Sequence, residues 1–155
     1  THSRGKIGGK LKNMLKSEAK HFDFIVHTGD FTSIEAALSI EAISGIPLIG
    51  VSGNMDNDEV RSHYPYKKTL SVEKLRVGII HGWGPPYDLI ERIDKEFEDE
   101  DIIIFGHTHI PCEKIFNGKR FLNPGSASNN RNGIGESIGI LEIDGKKADF
   151  KIRYL

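Results

Sequence analysis

Four short apolar runs in this chain each break off into polar side chains able to bind a metal or a phosphate. Phe24-Ile25-Val26 leads into His27-Thr28-Gly29-Asp30, and residues 47–51 lead into Gly53-Asn54-Met55-Asp56. Residues 76–80 lead into His81-Gly82, and residues 102–105 into Gly106-His107-Thr108-His109. In α/β sheets ligands bind at the carboxyl ends of strands, so groups placed there are expected to converge on one site. The neighbouring glycines let the backbone turn sharply and let a ligand come close.

The residue types narrow the chemistry. Imidazole nitrogens combined with carboxylate and amide oxygens suit Mn, Fe, Zn, Co or Ni, whereas Mg and Ca favour all-oxygen shells. His107 and His109 stand two apart where a strand ends, so they can address different partners or two metals. Two cations held ~3.5–4 Å apart, the usual spacing in two-metal hydrolases, repel unless an anion bridges them. Asp30 is the natural bridging carboxylate.

The elements that must position these groups are readable from periodicity. Ile7, Leu11, Met14, Leu15, Ala19 and Phe22 recur three or four apart among lysines, which predicts an amphipathic helix over 7–22. Phe24–Val26 reads as a buried strand, and Thr32-Ser33-Ile34-Glu35 has the form of a capping box opening a helix to about Ile43. Strands are expected at 47–51, 70–72, 76–80 and 102–105, with a helix over 87–98 behind Pro85-Pro86. The remainder reads as β: 113–116 and 120–122 around Asn117-Gly118, a Gly/Asn/Ser-rich loop, then 138–143 and 148–154 around Asp144-Gly145. The expected fold is α/β, two packed mixed β-sheets flanked by helices in a four-layer sandwich, as one domain over residues 1–155.

Bulk composition removes other classes. At 155 residues, with 37% hydrophobic and 28% charged positions, the chain has the size of one domain with its own core. Lys+Arg 21 against Asp+Glu 22 gives no field to draw it onto nucleic acid or an anionic membrane. An anionic substrate must therefore be held locally. Cys112 is the single cysteine, so no internal disulfide forms, and no apolar run nears the ~20 residues needed to span a bilayer. A reducing, cytoplasmic setting is expected, with no membrane partner; a homo-oligomer is left open.

Gly29-Asp30, Gly53-Asn54-Met55-Asp56, His81-Gly82 and Gly106-His107-Thr108-His109, in this order, resemble the motif series of the calcineurin-like metallophosphoesterases. The resemblance is to the small bacterial and archaeal phosphodiesterases of that superfamily, extends over essentially the whole chain, and includes Asn123-Pro124-Gly125-Ser126. It implies one metal on His2, Asp30 and His109 and a second on Asp30, Asn54, His81 and His107. Mn is the first expectation for both ions, with Ni, Zn, Fe or Co as alternatives. Asp30, Asn54, His81 and His107 are the implied catalytic set. The implied reaction is hydrolysis of a small phosphate ester, a diester by preference, by water activated between the metals and attacking phosphorus in line with the leaving oxygen.

Two departures from the family pattern are visible. Thr1-His2 resembles the tail of the family's Asp-x-His motif, so the first strand and its aspartate are expected ahead of Thr1. Met55 stands where many larger relatives carry a histidine, and it has no proton to give a leaving group. Other positions read in two ways. Asp56 either orients a ligand or turns the chain, and Trp83 with Tyr87 either walls a cleft or packs on the domain. The loop from Asn123 to Gly133 either presents N–H groups to phosphate or simply turns, and His27 either touches the site or caps its strand. A competing function is a protein-interaction scaffold of the same fold, as in the retromer vacuolar-sorting subunit; five intact ligand-type positions favour an enzyme.

Overall fold

The computed structural model describes residues 7–31, 33–128 and 133–155. Helix α1 (Gly9–Glu18) buries Leu11 and Leu15, one turn apart, and a 3₁₀ turn continues it to His21. Strand β1 (Ile25–His27) follows, then α2 (Ile34–Ser44). The α2 cap is Ser33, whose hydroxyl accepts the Ala36 N–H, and Gly45 closes the helix with φ 71°. The expected capping box thus shifts by one residue: a cap at Ser33 puts Ala36, not Glu35, three residues on. Strand β2 (Leu48–Gly50) pairs parallel with β1, Ile25 opposite Leu48.

A short helix α3 (Asp58–His63), which the sequence reading did not anticipate, is capped by Asn57 accepting the Val60 N–H, with Asp58 and Glu59 in its first turn. Strands β3 (Lys67–Val72) and β4 (Leu75–Ile80) form a hairpin. Helix α4 (Leu89–Asp94) is shorter than expected because a 3₁₀ turn occupies Pro86–Asp88. Strands β5 (Ile102–Phe105), β6 (Cys112–Phe116) and β7 (Lys119–Asn123) complete a five-stranded mixed sheet in the order β3-β4-β5-β7-β6. Within it β4, β5 and β7 are parallel, so their carboxyl ends share one edge. The last hairpin is β8 (Ser137–Asp144) with β9 (Lys147–Tyr154).

Side-chain alternation along β5 shows the layering. Ile102 and Ile104 join a core with Val77 and Leu122, against which Val26, Leu141 and Phe150 pack; Ile103 and Phe105 point to a second core with Leu89, Ile93 and Phe97. A third core holds Leu11, Leu15, Phe31, Ile34 and Leu48. The result is α1 and α2 over the two small sheets, those sheets over the five-stranded sheet, and α4 beneath. Gly78 makes the lower contact possible, since a Cβ there would lie 2.8 Å from the Phe97 ring.

The upper sheet layer has a gap. Among the described residues β1 pairs with β2 alone and β8 with β9 alone. Between them lies a cavity of about 540 Å³, lined by every residue of β1 and by β8 from Ser137 to Ile143, with Leu70, Val77 and Ile104 from the lower sheet and Leu11 and Leu15 from α1. Among the described residues, no helix is long and apolar enough to cross a membrane.

Candidate metal centre

The loops that leave β1, β4 and β5 line part of this cavity, and the β2 loop joins them through Asn54, beside His81 and His107. Asp30, at the end of the β1 loop, is 6% exposed and sits at φ 59°. His107 and His109, after β5, have φ 66° and 60°. Among the described residues only five non-glycine positions have positive φ, and the other two, Glu73 and Asn117, are hairpin turns. Left-handed backbone at a non-glycine residue costs about 1–3 kcal/mol and persists where surrounding structure enforces it, characteristically at functional sites. Three of the six sequence-predicted ligands carry that cost.

Asp56 supplies part of the enforcement. Its buried carboxylate Oδ2 accepts the Asp30 N–H at 3.0 Å and the Gly53 N–H at 2.7 Å, tying the β1 loop to the β2 loop. Asp30 Oδ1 in turn accepts the Met55 N–H at 2.9 Å. The packing is close: a Cβ on Gly53 would lie 2.3 Å from Asp30 Oδ1. Of the two readings of Asp56, orienting a ligand is the one this geometry supports. Helix α3 holds Asn54 from outside, through Arg61 Nη2 donating to the Asn54 carbonyl at 3.2 Å.

The four side chains that come together are Asp30, Asn54, His81 and His107. His81 Nε2 lies 3.0 Å from Asn54 Oδ1 and 3.5 Å from Asp30 Oδ2, and His107 Nδ1 lies 3.3 Å from Asn54 Oδ1. The two imidazoles meet edge to face with centroids 5.3 Å apart. His109 lines the same cavity as Asp30, His81 and His107. His2 lies outside the described residues.

The hydrogen bonds on the far sides of the rings fix which nitrogens are bare. His81 Nδ1 donates to the Thr28 carbonyl at 2.6 Å, and His107 Nε2 donates to the Gly84 carbonyl at 2.9 Å. In the neutral rings, His81 Nε2 and His107 Nδ1 are therefore lone-pair nitrogens. Both face Asn54 Oδ1, and His81 Nε2 also faces Asp30 Oδ2. With both rings neutral these four atoms form a donor set suited to a cation, and imidazoles held by backbone carbonyls are the usual arrangement of metal-binding histidines. Burial pulls the His81 pKa below its ordinary 6.5, with the Asp30 carboxylate opposing, and so favours the neutral, ligating form. Among the described residues no three His, Cys, Asp or Glu side chains are spaced to chelate an ion by themselves. The convergence runs through the amide of Asn54.

Several of the other positions find their place in the structure. Asn123, fully buried, donates from Nδ2 to the Gly106 carbonyl at 2.8 Å and to Thr108 Oγ1 at 3.1 Å, and accepts the Gly125 N–H at 2.9 Å. It thus braces the His107–His109 loop, a role the sequence did not disclose; residues 129–132 of its loop lie outside those described. His27 stacks on Phe31 at 3.8 Å and accepts the Gly29 N–H at Nδ1, so it is built into the strand end. Trp83 packs against the core over α4, near the exposed Tyr66 ring at 6.0 Å.

Comparison with known proteins gives the same direction. The family model of the calcineurin-like phosphoesterase superfamily domain matches residues 1–146. A probable metallophosphoesterase of Methanothermobacter thermautotrophicus is 33% identical over 136 residues, 84% of this chain and 74% of that protein. Phosphodiesterase YfcE of Escherichia coli is 31% identical over 63% of this chain, a stretch that spans only 53% of its own length. Zinc-bound Vps29 of Entamoeba histolytica superposes with a TM-score of 0.73 over 98% of this chain and 91% of its own at 23% identity, a likeness of fold. The mixed α/β sandwich, the ordered strand-end motifs and the matched family model together make this chain a member of the calcineurin-like phosphoesterase superfamily.

Proposed function

We propose that the protein hydrolyses phosphodiesters with two divalent cations, Mn before Ni, Zn, Fe or Co, held by His2, Asp30, Asn54, His81, His107 and His109. The observation that carries the proposal is the meeting of His81 Nε2 with Asn54 Oδ1 and Asp30 Oδ2 and of His107 Nδ1 with Asn54 Oδ1, while the far nitrogen of each ring is engaged by a backbone carbonyl. The site fits cations on that ground. Cations bound there would supply Lewis acidity to a water nucleophile and neutralise charge on the phosphoryl oxygens.

The protein's own part is positioning. Thr28 and Gly84 carbonyls hold the two imidazoles, and the Asp56 carboxylate holds the Asp30 loop against Gly53. Asn54 is solvent-exposed, so the centre opens outward to substrate. Met55, 62% exposed beside it, has no proton to donate, which directs the activity toward esters with good leaving groups. A relative named phosphodiesterase YfcE supports the diester reading. The lone Cys112 and near-neutral charge support a cytoplasmic setting, without membrane or nucleic-acid partner. The rival scaffold reading has no observation here that favours it over catalysis.

The test is hydrolysis of an aryl phosphodiester and the matching monoester by metal-stripped protein reloaded with each metal. The expected result is metal-dependent cleavage of the diester, falling at least a hundredfold in His107→Ala. Cleavage of the monoester alone would overturn the diester assignment, and inactivity with every metal would overturn the enzyme.

A further inference from the structure

Arg92 lies on α4, outside the candidate ligand set, yet its side chain is spent on the loop that holds His107. Its Nη2 donates to the Trp83 carbonyl at 2.7 Å and to the Pro85 carbonyl, and its Nε donates to the Trp83 carbonyl at 3.2 Å. Nη1 is paired with the Asp88 carboxylate one turn earlier on the same helical segment. The two carbonyls so gripped flank Gly84, whose own carbonyl accepts the His107 Nε2 proton at 2.9 Å. Gly84 has φ 75°, and a Cβ there would come 3.3 Å from Arg92 Nη2, so the loop closes directly onto the guanidinium.

We infer that Arg92 is a positioning residue for the metal centre, fixing the tautomer and ring orientation of His107 by immobilising the Gly84 carbonyl. The physical reason is that a residue 84 on a loop rich in glycine and proline has no regular hydrogen-bond ladder to place its carbonyl. The planar guanidinium, with its donors in fixed directions, replaces that ladder by binding both neighbouring carbonyls at once. With Gly84 held, the proton of neutral His107 resides on Nε2 and the lone pair of Nδ1 faces Asn54 Oδ1. With Gly84 released, Nε2 loses its fixed acceptor, and the ring is free to place the proton on Nδ1, the atom that must be bare to bind a cation.

The inference rests on the metal-site reading only for its functional consequence; the tautomer is a property of the metal-free protein. The experiment is long-range ¹H–¹⁵N NMR of the histidine rings at a pH where they are neutral, in metal-free wild type, Arg92→Met and Arg92→Lys, with His107→Ala to identify the signals. Wild type is expected to show His107 as the Nε2–H tautomer. Arg92→Met should show a mixed or reversed tautomer with the His81 signals unmoved, and Arg92→Lys, able to hold one carbonyl, an intermediate state. Mn titration of the same proteins should give a dissociation constant about tenfold weaker for Arg92→Met, the lower end of the range for partners that orient a ligand. If Arg92→Met does not fold, the lysine variant decides. An unchanged His107 tautomer in a folded variant overturns the inference, whereas an altered tautomer in a protein whose wild type binds no metal keeps it and overturns the metal reading instead.

Discussion

At the scale of single residues, the candidate positions were legible and the groups that brace them were not. Asp30, Asn54, His81, His107 and His109 stand out because each follows an apolar run, the first four next to a glycine and His109 two residues after His107. Thr28 and Gly84 act through backbone carbonyls, which every residue possesses, so nothing in their side chains marks them. Asn123 reaches a carbonyl 17 residues away, and Arg92 reaches carbonyls nine and seven residues away, contacts that no motif marks. Asp56 shows how much rests on one carboxylate. Replacing it by alanine leaves the buried Asp30 and Gly53 N–H groups without their acceptor, at about 1–3 kcal/mol each. Asp56→Ala is therefore expected to lose roughly 2–6 kcal/mol in urea unfolding. Asp56→Asn should recover part of this through its remaining carbonyl oxygen. An alanine variant as stable as wild type would show that the two loops are held by other means.

At the scale of elements, long periodic segments were readable and short capped ones were not. The repeat Leu11, Leu15 declares α1, and the unbroken apolar run of β5 declares a strand buried on both faces. Helix α3 escaped because its six residues are too short for a repeat and its opening Asn57-Asp58 imitates a turn. The acidic run before β5 reads as a solvated helix end, yet Glu100 is buried, accepting from Thr69 Oγ1 at 2.9 Å and paired with Arg76. Strand β1 carries a pH-dependent contribution. Burial pulls the His27 pKa well below 6.5, and its Nδ1 must stay unprotonated to accept the Gly29 N–H. The unfolded chain therefore binds a proton that the native state refuses. Stability is full above pH 6.5 and falls as the pH drops below it toward the lowered native value, by up to about 1.4 kcal/mol per pH unit for one such group. Buried His81, shifted in the same direction, adds to the slope. Melting temperatures from pH 8 to pH 5 should show this decline, and His27→Asn, which keeps an acceptor without titrating, should flatten it. A slope unaltered by that substitution would mean His27 is protonated in the native state.

At the scale of the whole molecule, four layers place the ends of β1, β2, β4 and β5 around one mouth, and the cavity between β1 and β8 opens into it. The two-sheet sandwich was foreseeable from alternating strand and helix followed by hairpins. The pairing of the upper strands, two and two among the described residues, was not, because hydrogen-bond partnership between strands distant in sequence leaves no local trace. The assembly concentrates its strained backbone, at Asp30, His107 and His109, where the candidate ligands stand, and its braces, at Asp56, Asn123 and Arg92, behind them. The measurement that bears most directly on this account is a Mn titration of metal-stripped protein followed by the loss of the free-ion EPR signal, in wild type and in His81→Ala. Saturable binding by wild type, weakened at least tenfold in His81→Ala, is the result the converging lone pairs predict. Wild-type protein that leaves the free-ion signal unchanged up to millimolar Mn would contradict it.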